Sequence, residues 1–181
     1  MIVWVNGAFG SGKTTLVREL HRQWPATLVF DPEQVGYVLR EIVDVPTGNF
    51  QDLPLWRRQV AAMAVGLLEE YHRPLLVPMT LVEAAYLDEI IAAVGGITVR
   101  HFYLDVPRDV LVQRIESRTM TPDDPGRDAD VRAWCVAQIE RCRATTDRLP
   151  TGTVFLDGRQ RVPELTATVL EHLGRAPSVR R

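Results

Sequence analysis

Short apolar runs alternate with longer amphipathic stretches along this chain. The runs favour β-strands because each is only a few residues long and is rich in branched or aromatic side chains. The longer stretches repeat their apolar residues at helical spacing, as Leu16, Leu20 and Trp24 do before Pro25. This alternation predicts a three-layer α/β fold, in which helices cover both faces of a five-stranded parallel sheet. The predicted strands cover residues 2–5, 28–30, 75–77, 99–104 and 154–156.

The amphipathic stretches predict a series of helices after the first one. A length of 181 residues fits one domain, so we expect residues 1–181 to form a single unit. Residues 119–130 are rich in Pro, Gly and Asp and have no periodicity, which is typical of a mobile lid or of a plain surface loop. The predicted helices cover residues 34–43, 55–71, 82–94, 108–118, 131–148 and 163–173.

A complete phosphate-binding motif, G-x-x-x-x-G-K-T, follows the first predicted strand and opens the first helix. Glycines let the backbone wrap closely around phosphate oxygens, so that N–H groups and the helix N-terminus point at negative charge. Lys13 would reach the β- and γ-phosphates, and the hydroxyl of Thr14 would ligate Mg²⁺. An ordinary glycine turn is the alternative. The predicted cofactor-binding residues here are Gly7, Ala8, Phe9, Gly10, Ser11, Gly12, Lys13, Thr14 and Thr15.

The motif predicts a nucleotide, and the rest of the chain favours ATP with Mg²⁺. Kinases, GTPases, motors and ATP switches all share such a loop, so the loop alone does not choose between them. The N-K-x-D pattern that reads guanine does not occur in this sequence. We therefore expect the architecture of a small-molecule kinase, with Lys13 among its catalytic residues.

Two carboxylates follow the second predicted strand, at Asp31 and Glu33. Side chains at the carboxyl ends of parallel strands face the binding crevice of an open α/β sheet. Asp31 is our candidate for the general base and for a second magnesium ligand, and Glu33 for substrate binding. The alternative is that Asp31 only caps the following helix, and both roles can hold together. The third strand continues as Pro78-Met79-Thr80, where many enzymes with this loop place a magnesium-binding aspartate.

Arginines surround the candidate lid. Arg114 and Arg118 lie on one face of a predicted helix that resembles the lid-entry helix of nucleoside monophosphate kinases. By that resemblance Arg114 would stack on adenine, and Arg118 would approach the transferring phosphates as a catalytic residue. Arg127 and Arg141 would complete the charge clamp, although a solvated helix face explains each arginine equally well.

A mixture of cationic, aromatic and apolar residues follows the acidic pair. Such a mixture suits a nucleoside-like or glycosylated small molecule, whereas a large apolar residue at such a position more often belongs to the core. The predicted substrate-binding residues are Glu33, Arg40, Phe50, Arg57, Met79, Thr80, Arg127 and Arg141.

Charge and composition exclude several classes of partner. The formal net charge of −2 gives no general attraction to nucleic acid. The longest apolar stretch, residues 60–68, is too short to cross a bilayer. Cys135 and Cys142 are expected on one helix face, too distant for a disulfide, so we expect reduced thiols and a cytoplasmic protein.

Several segments together resemble the tunicamycin-resistance ATP-binding protein family. They are Trp4-Val5-Asn6 with the phosphate-binding motif, Asp31-Pro32-Glu33, Leu55-Trp56-Arg57, Val77-Pro78-Met79-Thr80 and Gln138-Ile139-Glu140-Arg141-Cys142. The resemblance implies ATP-dependent resistance to tunicamycin, a nucleoside antibiotic that carries uridine, sugars and a fatty acyl chain. It also implies weak peripheral membrane contact through a C-terminal segment, which Glu164 and Glu171 would weaken further on anionic lipid.

Three functions remain open from the sequence. The first is a phosphotransferase that moves the γ-phosphate of ATP to a hydroxyl of the antibiotic or of a related small molecule. The second is an ATP-dependent protein that sequesters the drug without modifying it, which the missing acid after the third strand favours. The third is a metabolite kinase of the shikimate or gluconate type.

Overall fold

The computed structural model describes residues 1–119 and 121–175. Its five strands form one parallel sheet in the order β2-β3-β1-β4-β5. Helices flank this sheet, which confirms the three-layer α/β fold predicted from the sequence. The strands are β1 Ile2–Gly7, β2 Leu28–Val29, β3 Leu75–Pro78, β4 Val99–Asp105 and β5 Val154–Asp157.

The helices occupy the stretches where the apolar residues recur at helical spacing. Short 3₁₀ helices at Phe50–Asp52 and Thr146–Arg148 add to them. No helix among the described residues is long and apolar enough to cross a membrane. The helices are α1 Lys13–Gln23, α2 Glu33–Ile42, α3 Pro54–Tyr71, α4 Ala84–Ala93, α5 Arg108–Glu116, α6 Pro125–Ala137, α7 Ile139–Ala144 and α8 Val162–His172.

The central strand β1 packs against a different core on each face of the sheet. Ile2 and Trp4 belong to the cluster that α3 and α4 cover, whereas Val3 and Val5 belong to the cluster beneath α1 and α8. This alternation follows from the strand, in which successive side chains point to opposite faces. Since β1 is paired with β3 and β4 in parallel register, the carboxyl ends of the three strands meet at one edge. The phosphate-binding motif leaves the sheet at that edge.

The segment predicted as a loop at 119–130 is partly helical, which corrects the predicted start of the next helix. Helix α6 begins at Pro125, and the side chain of Asp124 caps it by accepting a hydrogen bond from the N–H of Arg127 at 3.2 Å. An acceptor at the N-cap with proline in the first turn is a favoured helix start. The single predicted helix 131–148 is divided into α6, α7 and a 3₁₀ turn. Met120, within the candidate lid, lies outside the described residues.

Both cysteines are free thiols and are buried. Cys135 lies on α6 and Cys142 on α7, and burial raises the pKa of each thiol to about 11. A thiol with so high a pKa carries almost no thiolate at neutral pH, and the thiolate is the reactive form. The two side chains therefore act as small apolar residues of the core beneath α6.

Candidate functional site

The phosphate-binding motif forms a tight loop between β1 and α1 that only glycine can adopt at several positions. Gly7, Gly10 and Gly12 have φ angles of 144°, 79° and 101°. A Cβ atom on Gly7 would lie 2.9 Å from the carbonyl oxygen of Leu104, so the loop also needs glycine for close packing. No side chain caps the N-terminus of α1, and among the described residues the buried hydroxyl oxygen of Ser11 has no hydrogen-bond partner. The N–H groups at the start of α1 and the hydroxyl of Ser11 can donate hydrogen bonds, so they suit the oxygens of a polyphosphate.

The side chain of Lys13 lies across this loop. Its Nζ donates to the carbonyl oxygens of Gly7 at 3.0 Å and of Ala8 at 2.9 Å. The residue is only 9% exposed, and burial lowers the pKa of the ammonium from 10.5 to about 8, against the smaller opposing effect of Glu33. A buried cation that is poorly solvated gains strongly from an anionic partner. Lys13 therefore fits the predicted contact with nucleotide phosphates.

Polar side chains behind the loop hold it in place. The side-chain oxygen of Asn6 accepts from the N–H of Gly7 at 2.7 Å and from the N–H of Leu81 at 3.0 Å. The hydroxyl of Thr80 donates to the carbonyl of Gly7 at 2.9 Å, and the amide of Gln51 donates to the carbonyl of Thr80 at 2.8 Å. All three of these polar side chains are at most 2% exposed. The loop is thus tied to the segment that follows β3.

Removal of the Thr80 hydroxyl tests this support. In Thr80→Val the shape of the side chain is kept, and the carbonyl of Gly7 keeps its bond from Lys13. We expect the free energy of unfolding to fall by about 1 kcal/mol, the usual value of one hydrogen bond. Affinity for Mg·ATP should fall about three- to tenfold because the loop is held less firmly. Titration calorimetry and urea unfolding measure the two effects, and Thr80→Ser should restore both. Unchanged ATP affinity in Thr80→Val would count against a supporting role.

The two predicted carboxylates lie at the start of α2. One carboxylate oxygen of Asp31 accepts from the N–H of Glu33 at 3.0 Å, so the capping role is present. Burial raises the pKa of both carboxyl groups, and the neighbouring charge of Asp31 raises that of Glu33 further. Lys13 acts in the opposite direction on both groups, and the hydroxyl of Tyr37 donates to Glu33 at 3.0 Å. The pair therefore lies close enough to the phosphate-binding loop to interact electrostatically with Lys13.

A cavity of about 530 Å³ joins the loop, the carboxylates and the candidate lid. Most of the predicted site residues line it, so the phosphate-binding loop and the carboxylates face one shared space. The predicted residues among its lining are Phe9, Gly10, Lys13, Thr14, Asp31, Glu33, Arg40, Phe50, Met79, Arg118 and Arg127.

Arg57 and Thr80 do not line the cavity, contrary to the role suggested for them from the sequence. Arg57 is 8% exposed and pairs with the carboxylate of Glu89. It also donates to the carbonyl of Gln51 at 2.6 Å and lies over the ring of Tyr86 at 4.4 Å. These contacts use the planar faces and the edge of the guanidinium, so Arg57 joins α3 to α4. Thr80 is engaged by the phosphate-binding loop, as described above.

The remaining predicted arginines occupy different surroundings. Arg141 donates to Glu83 at 2.8 Å and to Gln138 at 3.2 Å, away from the cavity lining. Arg114 donates to the carbonyls of Ser11 at 3.3 Å and Gly158 at 3.1 Å, beside the phosphate-binding loop. Its expected stacking on adenine stays a prediction. Arg118, just before the candidate lid, and Arg127, within it, both line the cavity.

Several lining residues were missed by the sequence reasoning. Helix α6 contributes Asp130, Trp134 and Cys135 to the cavity, and the three share one face with Arg127. The Asp-Pro sequence at 124–125 is a helix-start pattern that could have shown this face. Tyr37 also lines the cavity, one helical turn after Glu33. Gln51 was not distinguishable from a surface residue because its burial depends on β3.

Comparisons with known proteins agree with this architecture. A family model described as an AAA domain matches residues 2–144. A search of curated proteins found no match. Among solved structures, the tunicamycin resistance protein of Deinococcus radiodurans superposes with a TM-score of 0.74, at 22% identity over 99% of each chain. This match confirms, at the level of the fold, the resemblance drawn from the motifs.

Kinases are also among the similar structures. A sugar kinase from a Janibacter species has a TM-score of 0.69, at 21% identity over 99% of this chain and 98% of that one. A shikimate kinase from Bacteroides thetaiotaomicron has a TM-score of 0.61, at 16% identity over 96% and 98%. The fold is therefore that of P-loop kinase-like proteins.

Proposed function

This chain belongs to the AAA domain family, and from that premise we propose that it is a P-loop phosphotransferase that uses Mg·ATP. Its acceptor is a hydroxyl group of a small molecule, and the leading candidate is a nucleoside antibiotic of the tunicamycin type. The observation that carries the proposal is the single cavity that Lys13, Thr14, Asp31 and Glu33 line together. A nucleotide-binding loop and a pair of carboxylates are the two halves that phosphoryl transfer to a hydroxyl requires.

The residues divide into three roles under this proposal. The loop N–H groups and Lys13 bind and orient the phosphates, while Arg118 stabilises charge that develops during transfer. Asp31 accepts the proton of the acceptor hydroxyl, and its raised pKa brings it closer to the strength of a useful base. Thr14 would ligate Mg²⁺ and Asp31 would hold it through a water molecule, and the bound ion would neutralise phosphate charge. Arg40 and Arg127, which line the same cavity, contact the acceptor.

Sequestration without chemistry is the second candidate. The specific observation that favours it is the end of β3, where Pro78 and Met79 line the cavity in place of a magnesium-binding acid. The metabolite kinases among the similar structures favour a third candidate function, a kinase that acts on a sugar or a shikimate-type acceptor. In each case the partner is a small molecule. We place the protein in the cytoplasm, where ATP is available and free thiols persist.

A mass measurement separates these functions. Purified protein is incubated with tunicamycin, ATP and Mg²⁺, and the antibiotic is then examined for the mass of one added phosphoryl group. We expect that product together with equal formation of ADP. Binding of tunicamycin without a mass change would favour sequestration. Absence of tunicamycin binding, with ADP formed on gluconate or shikimate, would favour a metabolite kinase.

A further inference from the structure

Two aromatic side chains from different elements meet at the wall of the cavity. Phe9 belongs to the phosphate-binding loop and Trp134 to α6, and their ring centroids lie 5.2 Å apart in an edge-to-face arrangement. Both residues line the cavity and both are only half-buried. A large apolar surface that stays partly exposed inside a cavity is available to a ligand. We call this pair the aromatic wall.

The packing of α6 on the domain does not depend on Trp134 alone. The adjacent Cys135 fills that role, together with Ile139 and Cys142 of α7, and these three are at most 3% exposed. Trp134 packs against this core cluster and also lines the cavity. Its side chain is therefore placed for contact with a ligand as well as with Phe9.

A third ring is available from another element. Tyr37 of α2 is 45% exposed, lines the same cavity and donates its hydroxyl to Glu33 at 3.0 Å. Phe50, by contrast, is only 8% exposed because Trp56 and the guanidinium of Arg40 cover it. The accessible aromatic surface thus shares one cavity with the two carboxylates, and Tyr37 contacts one of them directly.

We propose, resting on the phosphotransferase function above, that the aromatic wall binds the flat face of a ring in the acceptor and that Trp134 determines this specificity. The shared chemistry is a ring with an apolar face and polar edges, which both a sugar ring and a nucleobase provide. The face packs on the indole, and the polar groups at the edge are directed to Asp31 and Glu33. An open-chain polyol has no such face, so the wall disfavours it.

Tryptophan fluorescence reports on this contact. Of the four tryptophans, Trp4, Trp24 and Trp56 are at most 5% exposed and lie outside the cavity lining, whereas Trp134 lines it. Tunicamycin, uridine, N-acetylglucosamine and gluconate are titrated separately into the protein with Mg·ATP present. We expect the emission to change with tunicamycin and with at least one of the two ring fragments, and not with gluconate. Response to uridine alone assigns the wall to a nucleobase, and response to N-acetylglucosamine alone assigns it to a sugar.

Two variants separate ring recognition from structural support. Trp134→Leu keeps apolar contact with Phe9 but removes the ring, and we expect tunicamycin affinity, measured by calorimetry, to fall about 5- to 100-fold, the usual effect of losing one stacking contact. Trp134→Phe should recover most of this loss while it abolishes the fluorescence change. ATP affinity should stay within about twofold in both variants.

Three results would overturn the assignment of Trp134. The first is equal tunicamycin affinity in Trp134→Leu and the wild type. The second is a loss of ATP affinity in Trp134→Leu as large as its loss of tunicamycin affinity, which would indicate that Trp134 supports the phosphate-binding loop through Phe9. The third is binding of gluconate in preference to every ring compound. Ring binding that depends on Trp134, without phosphorylated product, would keep the aromatic wall and reject the phosphotransferase.

Discussion

Lys13→Met is expected to lower kcat/KM for Mg·ATP by at least about 10²- to 10³-fold, the range seen when one preorganised charge-stabilising donor is removed. Lys13 is the cation held inside the phosphate-binding loop, and methionine keeps its length without the charge. The loop itself should survive the change. The carbonyl of Gly7 still accepts a hydrogen bond from the hydroxyl of Thr80, and the carbonyl of Ala8 still accepts one from the N–H of Ser11 at 3.1 Å. Calorimetry and initial rates of ADP formation measure the loss.

The same substitution should leave the fold as stable as before, or more stable. Burial lowers the pKa of Lys13 from 10.5 to about 8, so the buried charge opposes folding at neutral pH by about 3 kcal/mol. Between pH 8 and 10.5 the unfolded chain binds more protons here than the folded one, so this penalty fades as pH rises. Urea unfolding at pH 7 and pH 9.5 should therefore show an advantage of Lys13→Met that shrinks at the higher pH.

A matched control is Arg18→Met, which removes an exposed cation from the same helix. It should change neither turnover nor the pH dependence of unfolding appreciably. If Lys13→Met binds and turns over Mg·ATP as well as this control does, the loop does not hold phosphates as we assign. A variant that is unfolded at pH 7 would contradict the pKa argument separately.

The sheet and the phosphate-binding loop were predictable because their sequence patterns are local. Each strand is a short apolar run between helical stretches, and the glycines of the loop occupy positions where a φ angle above zero is needed. The ends of β1 and β2 could be placed at the same edge as well, since parallel strands share their carboxyl edge. That rule correctly brought Asp31 and Lys13 to one cavity.

The partners of buried polar side chains were not predictable, because they come from distant parts of the chain. Arg57 has the sequence context of a ligand-binding arginine, yet Glu89 pairs with it across α3 and α4. Gln51 and Thr80 meet only after the 3₁₀ helix packs on β3. The cavity-lining face of α6 was not predicted for another reason: the first turn of the helix carries polar residues, and its apolar periodicity begins only at Val131.

Asp31→Asn is expected to lower phosphoryl transfer by about 10²- to 10⁴-fold, the usual contribution of a general base. Asparagine has nearly the same size, and its carbonyl oxygen can still accept the N–H of Glu33 as Asp31 does at 3.0 Å. The capping role is therefore kept while the proton acceptor is lost. ATP affinity should change much less than turnover. Product mass, ADP formation and calorimetric affinity for Mg·ATP measure these effects with tunicamycin as acceptor.

The pH profile adds a second test of Asp31 as the base. Burial raises its pKa, so the wild-type rate should fall on the acid side at a pH above the ordinary aspartate range, and Asp31→Asn should lack that limb. Asp130→Asn is the matched control, because Asp130 lines the same cavity but lies on α6. If Asp31→Asn forms product as fast as this control, Asp31 only begins α2. If Asp31→Asn, Asp130→Asn and the wild type all bind tunicamycin and none of them forms product, the carboxylates serve magnesium or ligand binding, and sequestration is the function.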